Sequence, residues 1–448
     1  MSSPAELPAS ALDPETLLEQ LDRQLPRPTG YWVAFSGGLD STVLLQLLAM
    51  LRPRLAAPLS VVHVDHALQP QSVAWAEHCQ RVCAELDIPL HSLRVDAMPR
   101  RGESPEAAAR RARYVAIAQL LGPRAMLLTA HHRDDQAETL LLQMFRGAGV
   151  EGLSAMPVVR SWNRGWLARP LLGVQRASIR AWAEARGLNW VEDPSNMAGA
   201  ADRNYLRHQV MPAIAARWPG AVDSMARSAA HCADAAGMLR SLAERDLRHV
   251  SVADRLELAR LRSLPSARSR NLMRQWLREH RAPPLSSRRL QDALQQLCHA
   301  RSDAAVRIEW GGVEIRRFRD QAWLIRPSPV TDDRPRVDWA GEALRLPFGL
   351  GRVRRFEGAG GISPQAWREG RVQIGYRNSA FRCRPAGRSG SRTFKKIAQE
   401  YGIPPWQRDI VPVLLIDDCP AAVANYCVCQ PFAVEAGQPG WMIEWIPD

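Results

Sequence analysis

Tyr31-Trp32-Val33-Ala34-Phe35 is an apolar run of strand length, and Thr42 to Leu51 carries helical spacing. Between them stands Ser36-Gly37-Gly38-Leu39-Asp40-Ser41, with no residue to spare on either side. Paired glycines let the backbone turn sharply and aim its N–H groups at one point. The serines add hydroxyl donors, and the helix that follows offers its positive N-terminus. Such a loop suits a phosphate. It is not a Walker A loop, because no Gly-Lys-Ser/Thr follows at the right spacing.

The flanking sequence repeats the same alternation. Leu59–Val64 reads as a second strand followed by a helix over Ser72–Leu86. Leu90–Val95 and Pro105–Leu121 make a third strand and helix, and Met126–Thr129 and Asp134–Phe145 a fourth pair. This β-α order predicts a parallel sheet covered on both faces. Ligands of such sheets bind at the carboxyl ends of the strands. From Ala177 to Trp218 the pattern is helical, interrupted at Glu192-Asp193-Pro194-Ser195-Asn196, and 221–300 is helical with little sign of strands. Ala305–Trp310, Gly312–Arg317 and Ala322–Ile325 alternate like the edge of a small sheet. Arg326–Arg336 holds three prolines and reads as a linker to a β-rich last domain.

At 448 residues, 46% hydrophobic and 23% charged, the chain is globular in composition, which excludes wholesale disorder and collagen-like repeats. No apolar run approaches the roughly 18 residues of a membrane span. Met1 to Pro26 has neither a basic start nor an apolar stretch, so a cytoplasmic location is expected and no membrane partner. Eight cysteines without a Cys-x-x-Cys pair argue against a zinc ribbon or iron–sulfur cluster, and in that compartment they should all be reduced. Cys79 and Cys83, four apart, read as core residues of a helix.

Basic residues outnumber acidic ones by 59 to 46, a net charge of +13. Residues 1–220 hold 23 basic and 21 acidic residues, whereas 221–448 hold 36 and 25. A nearly neutral first half and a basic second half suggest catalysis in one and polyanion binding in the other. Arginine dominates so strongly that Lys395 and Lys396 are the only lysines. They close a tract of Arg371, Arg377, Arg382, Arg384, Arg388, Arg392, Lys395 and Lys396, with no acidic residue between 371 and 396. Eight such charges around a Gly387, Ser389, Gly390 and Ser391 loop point to a phosphate-backbone surface.

Further motifs lie where the strands should end. The second strand runs into Val62-His63-Val64-Asp65-His66-Ala67-Leu68, and the fourth into Thr129-Ala130-His131-His132-Arg133-Asp134-Asp135-Gln136-Ala137-Glu138-Thr139. Two histidines and two aspartates there could ligate a transition metal. A nucleotide site is favoured, because the phosphate loop opens on the same edge and carboxylates can hold magnesium bridging phosphates. Glu106, Arg110 and Arg113 share one helix face beside Tyr114, either as a solvated ion pair or as a site lining. Arg203 and Arg207 likewise read as a solvated pair or as phosphate contacts. Arg169-Pro170-Leu171-Leu172 stands between these groups.

The hexapeptide resembles the Ser-Gly-Gly-x-Asp-Ser signature of the PP-loop ATP pyrophosphatase superfamily. All the segments together resemble the tRNA(Ile)-lysidine synthetase family, densely over 31–212 and again over 377–412, where Ile403-Pro404-Pro405-Trp406-Gln407-Arg408-Asp409 stands. Between 220 and 370 only helical character agrees. The resemblance implies an α/β parallel-sheet PP-loop domain (adenine nucleotide alpha hydrolase-like) over 1–218, a helical substrate-binding middle domain over 219–326, and a β-rich α+β tRNA-binding domain over 337–448. It implies a ligase that uses ATP to adenylate the wobble cytidine of the CAU-anticodon isoleucine tRNA. Free L-lysine then displaces AMP with its amine, giving lysidine, AMP and diphosphate.

On that resemblance Ser36, Gly37, Gly38, Leu39, Asp40, Ser41 and His63 would bind ATP, and Asp40 and Asp134 would hold Mg2+. Asp40, His132, Asp134, Asp135 and Glu138 would serve catalysis and lysine placement. Arg110, Arg113, Arg203, Arg207, Arg388, Arg392, Lys395 and Lys396 would meet tRNA, and a homodimer stays open. The attacking amine must lose a proton, so a nearby carboxylate or histidine is expected as base. Three rivals compete. A small-molecule PP-loop ligase would need no basic last domain. A tRNA-thiolating relative would want reactive cysteines in the first 150 residues, where only Cys79 and Cys83 stand. An RNA-binding protein with a decayed nucleotide fold would have no use for an intact loop.

Overall fold

The architecture is given by a computed structural model, which describes residues 12–24, 26–65, 72–100, 103–192, 202–301, 304–327, 335–378, 380–435 and 437–447. The expected features at 66–68 and 193–196 and most of the 326–336 linker lie outside the described residues. The chain divides into two compact units, 1–240 and 241–448.

In the first unit the elements are α1 (Pro14–Gln24), β1 (Tyr31–Ala34), α2 (Leu39–Leu51), β2 (Leu59–Asp65), α3 (Ser72–Glu85), β3 (Leu90–Arg94), α4 (Pro105–Leu120), β4 (Met126–Leu128) and α5 (Arg133–Phe145). These match the expected alternation closely, with one useful difference. Helix α2 begins at Leu39, so Asp40 and Ser41 of the loop occupy its first turn. β1 pairs in parallel with β2 on one side and β4 on the other. Met126–Leu128 is buried throughout, as a central strand between helical layers should be. Helix α2 buries nine of its residues and sits against α1 and the later helix at 176–184.

The hairpin beyond β4 has no counterpart in the sequence reading. After α6 (Val150–Leu153), β5 (Val159–Trp162) turns at Asn163, with φ +53°, into β6 (Gly165–Ala168). β6 joins the sheet parallel to β4, and β5 caps the edge antiparallel, giving the order β3-β2-β1-β4-β6-β5. Gly165 permits the pairing, since a Cβ there would lie 2.1 Å from the Ala125 carbonyl oxygen. Then come α7 (Arg176–Glu184), α8 (Asp202–Tyr205), a π-helical turn at Leu206–Val210, α9 (Met211–Arg217) and α10 (Ala221–Val250).

The second unit corrects the expectation of few strands before residue 300. β7 (Ser251–Val252) and β8 (Arg255–Glu257) precede α11 (Leu258–Ser263), α12 (Ser266–Glu279) and α13 (Ser287–His299). They join β9 (Arg307–Trp310), β10 (Val313–Phe318) and β11 (Gln321–Ile325) in one sheet of order β7-β8-β11-β10-β9. Two and three residues are too few to show a period, which is why the sequence hides them. The three helices pack over this sheet, with Trp276, Leu272 and Leu290 among the buried residues.

The remainder is β-rich, as expected, and its strands pair antiparallel. β12 (Val337–Asp338), β13 (Leu344–Arg345) and β14 (Arg352–Ala359) are followed by α14 (Pro364–Glu369), β15 (Val372–Gly375), β16 (Arg382–Pro385), β17 (Arg392–Thr393) and α15 (Phe394–Glu400). β18 (Val413–Ile416), β19 (Cys419–Val423), β20 (Cys427–Gln430) and β21 (Pro439–Ile446) complete a seven-stranded and a three-stranded sheet. One expectation fails here. Cys383 and Cys429 form a disulfide, while the other six cysteines are free. Adjacent strands bring their Cα atoms to 5.6 Å across 46 residues of sequence, a proximity no spacing rule reveals.

Candidate active site

In the parallel sheet the chain steps from β1 outward to β2 and β3, then crosses back to β4 on the other side of β1. The loops after β1 and β4 therefore leave in opposite directions and open a crevice between them. The phosphate loop follows β1, and the His/Asp segment follows β4. The two strongest motifs of the sequence meet there.

The phosphate loop is held from within. Ser36 N donates to Ser41 Oγ at 3.3 Å, Ser41 Oγ donates to the Gly38 carbonyl at 3.0 Å, and so does Thr42 Oγ1 at 3.0 Å. Gly37 has φ +80°, and a Cβ there would lie 3.1 Å from Cys79 Sγ, so the position requires glycine. No side chain caps the N-terminus of α2, leaving its first N–H groups turned to the crevice. His63 is buried below the loop, with Nδ1 2.9 Å from the Phe35 carbonyl, so only Nε2 remains for a ligand. Burial pushes the Cys79 thiol up to about 12 and the Cys83 thiol up to about 11. Both stay protonated and serve the core, which removes the tRNA-thiolation rival's reactive cysteines.

Across the crevice His132 caps helix α5, its backbone N–H donating to Asp135 Oδ2 at 3.0 Å. Its imidazole is ringed by carboxylates. Nε2 lies 3.8 Å from Asp40 Oδ2 and 3.4 Å from Asp135 Oδ2, and Nδ1 lies 3.5 Å from Asp134 Oδ2. Burial opposes the charged ring, but Asp134, Asp135 and Asp40 outweigh it and raise the His132 pKa. Burial also raises Asp40, the strongest influence on that carboxyl. For Asp134 and Asp135 burial is overcome by His132 and by arginine or backbone donors, and both pKa values fall. Asp134 Oδ2 is further engaged by the Arg176 N–H at 2.9 Å. Asp40 Oδ1 is buried and has no hydrogen-bond partner.

Arg203 and Arg207 are half-buried and paired. Glu138, 2% exposed, accepts from Arg203 Nε at 2.9 Å and from Arg207 Nε at 2.7 Å. Arg207 also reaches Asp135 Oδ1 at 2.9 Å. The helical arginine pair thus clamps two carboxylates of α5 from 65 to 72 residues away. Of the two expected readings, a solvated pair is excluded by these contacts, which fix Glu138 between two guanidinium groups.

His131, one of the two histidines weighed as metal ligands, and Arg169, of the Arg169-Pro170-Leu171-Leu172 motif, stand on the flank of this cluster. His131 is close to Thr129, Oγ1 to Nδ1 being 2.8 Å, and burial, opposed by Asp135 and helped by Arg169, Arg110 and Arg203, lowers its pKa to about 3. Arg169 is 3% exposed; NH1 donates to the Pro157 carbonyl at 2.7 Å, and Nε is buried without a partner. Burial, helped by Arg160 and Arg110, pulls that guanidinium down to about 10. Arg110 is exposed and lies over the Tyr114 ring at 5.2 Å, and burial lowers the Arg113 pKa. A buried cation with cations as neighbours is a seat for an anion. The motif Arg169-Pro170 is visible in the sequence, but nothing local shows its burial.

In the second unit the basic tract is less unbalanced than its sequence suggests. Arg371 pairs with Asp338 at 2.9 Å, Arg377 with Asp409, and Arg392 approaches Glu400 at 3.6 Å. These acids come from outside 371–396 or, for Glu400, just beyond it. Arg382, Arg384, Arg388, Lys395 and Lys396 are exposed. The two lysines occupy the first turn of α15, whose N-cap is Thr393.

Comparison with known proteins agrees with these features. Residues 15–214 match the model of the PP-loop domain, 256–323 that of the TilS substrate binding domain, and 372–445 that of the TilS substrate C-terminal domain. The chain is 40% identical to the tRNA(Ile)-lysidine synthase of Methylococcus capsulatus over 93% of its own length and 96% of the relative's. It is 38% identical to the enzyme of that name from Coxiella burnetii, covering 97% of each chain. Against the one from Alkalilimnicola ehrlichii it is 42% identical over 96% of this chain and 97% of the other.

Proposed function

Since the chain belongs to the tRNA(Ile)-lysidine synthase family, we propose that it ligates free lysine to the wobble cytidine of the CAU-anticodon isoleucine tRNA at the expense of ATP. The observation that carries this reading is the meeting of the phosphate loop with the His132 carboxylate cluster across the β1/β4 crevice. ATP's phosphates lie on Ser36–Ser41 and the N-terminus of α2, and the His132 ring, its pKa raised against burial by Asp134, Asp135 and Asp40, faces them from α5. Magnesium fits here, because Asp40 offers a buried oxygen that accepts no hydrogen bond. Asp40 and Asp134 would hold it, and when bound it neutralises phosphate charge.

The base oxygen attacks the α-phosphorus, diphosphate leaves, and the lysine amine then displaces AMP. Glu138, paired with Arg203 and Arg207, and Asp135, whose pKa His132 and then Arg203 hold low, draw in the lysine ammonium. The proton of the amine goes to a carboxylate or histidine of this cluster. Arg169 seats the lysine α-carboxylate on the flank of the same cluster. Arg110, Arg113 and the exposed tract of the second unit meet tRNA, and the domain limits 1–218, 219–326 and 337–448 belong to this proposal. A cytoplasmic site of action fits the absence, among described residues, of any helix long and apolar enough to cross a membrane.

Mass spectrometry of nucleosides tests the whole reading. Isoleucine tRNA incubated with enzyme, ATP and labelled lysine should yield labelled lysidine with one AMP and one diphosphate per event. Asp40→Asn should stop diphosphate release. Unlabelled cytidine with wild-type enzyme, or full turnover by Asp40→Asn, would overturn it.

A further inference from the structure

The basic strand β16 has two faces. Arg382 and Arg384 point outward, while Cys383 and Pro385 are buried, as strand alternation requires. Its neighbour β20 pairs Pro385 with Cys429, and Cys427 stands two residues earlier on the same face. The Sγ atoms of Cys383, Cys427 and Cys429 all lie within 4.8 Å of one another. Two of them are joined in a disulfide, and the third is a free, half-buried thiol.

A disulfide does not persist where glutathione and thioredoxin keep thiols reduced. Opening it would leave three thiols crowded beneath the strand that carries Arg382 and Arg384. We propose that Cys383, Cys427 and Cys429 form a three-thiolate zinc site in the reduced protein, with the fourth position left to water. Thiolate sulfurs around tetrahedral zinc lie roughly 3.8 Å apart, given bonds of about 2.3 Å, and the three sulfurs here lie within 4.8 Å of one another. Soft thiolate donors select zinc or copper(I) over magnesium. The complex of Zn2+ with three thiolates carries one negative charge, and Cys383 stands between two arginines and in register with Arg392.

Zinc binds thiolates, so loading the site releases the thiol protons. Metal and disulfide are thus alternative staples for one strand. A peroxide exchanges them. The Cys383 and Cys429 thiolates each give up one electron as their S–S bond forms; hydrogen peroxide takes both electrons and two protons and leaves as two waters. Zinc departs as Zn2+, and Cys427 takes a proton.

The test uses the full-length protein reduced with a phosphine, loaded with zinc chloride and stripped of loose metal on a chelating resin. Wild type should retain one zinc per chain by elemental analysis, and Cys427→Ser and Cys429→Ser should retain at least tenfold less. Cadmium in place of zinc should give a thiolate charge-transfer band in wild type only. One equivalent of hydrogen peroxide should release the zinc while titratable thiols fall from eight to six. Should Cys429→Ser fold poorly, Cys427→Ser still decides, because Cys427 lies outside the disulfide. Reduced wild type that keeps no zinc, or Cys427→Ser that keeps as much, overturns the site.

Discussion

His132 is the residue on which the charge balance of the crevice turns. Its pKa lies above that of an unfolded histidine, near 6.5. The stabilisation its carboxylate neighbours gain from the imidazolium is therefore complete below about pH 6.5 and disappears as pH rises through the folded value. His132→Asn should lower the melting temperature markedly at pH 6 and much less at pH 9; equal losses at both would mean that the ring is neutral in the fold. Arg169 makes a separate demand. Arg169→Gln should raise the KM for lysine at least tenfold and leave the KM for cadaverine, which lacks the carboxylate, where it was. tRNA affinity should not change. A variant that loses tRNA affinity and keeps its lysine KM would assign Arg169 to a phosphate instead.

Among the elements, the β5–β6 hairpin shows what close backbone approach requires. A Cβ at Gly165 would collide with the Ala125 carbonyl across the β4–β6 pairing. Gly165→Ala should therefore cost about 1–3 kcal/mol in denaturant unfolding, the usual penalty for overpacking. No loss would mean that the strand pair can splay freely. The same hairpin marks the limit of reading elements from sequence. β1 to β4 are legible because each is an apolar run followed by a helical period. β5 is half-exposed along its length, and nothing in Val159–Trp162 announces a buried neighbour. The site divides in the same way. The loop and the α5 cluster are each contiguous in sequence and can be read there. The clamp of Arg203 and Arg207 on Glu138, and the burial of Arg169, depend on partners far along the chain. Side-chain periodicity carries no trace of such pairings.

For the molecule as a whole, the charge asymmetry remains the guide to the nucleic acid, but the exposed subset matters more than the total. Arg371 and Arg377 are already paired with acids. Arg382, Arg384 and Arg388 are the better candidates for displacing counterions. Replacing these three with alanine should weaken tRNA binding and flatten the log–log salt dependence by roughly 2 to 3 units, at about 0.7–0.9 for each phosphate no longer neutralised. An unchanged slope would place the tRNA elsewhere.

Lys395 and Lys396 stand in the first turn of α15, where the helix's own field disfavours cations. Because the chain has no other lysine, reagents that acylate primary amines have one internal target, besides the α-amino group. A lysine-specific protease has the same single address. The molecule thus arrives with a built-in footprinting reporter: labelling at these two adjacent amines, with and without tRNA, reads occupancy of the basic face directly, with no engineered tag and no background from any other side-chain amine.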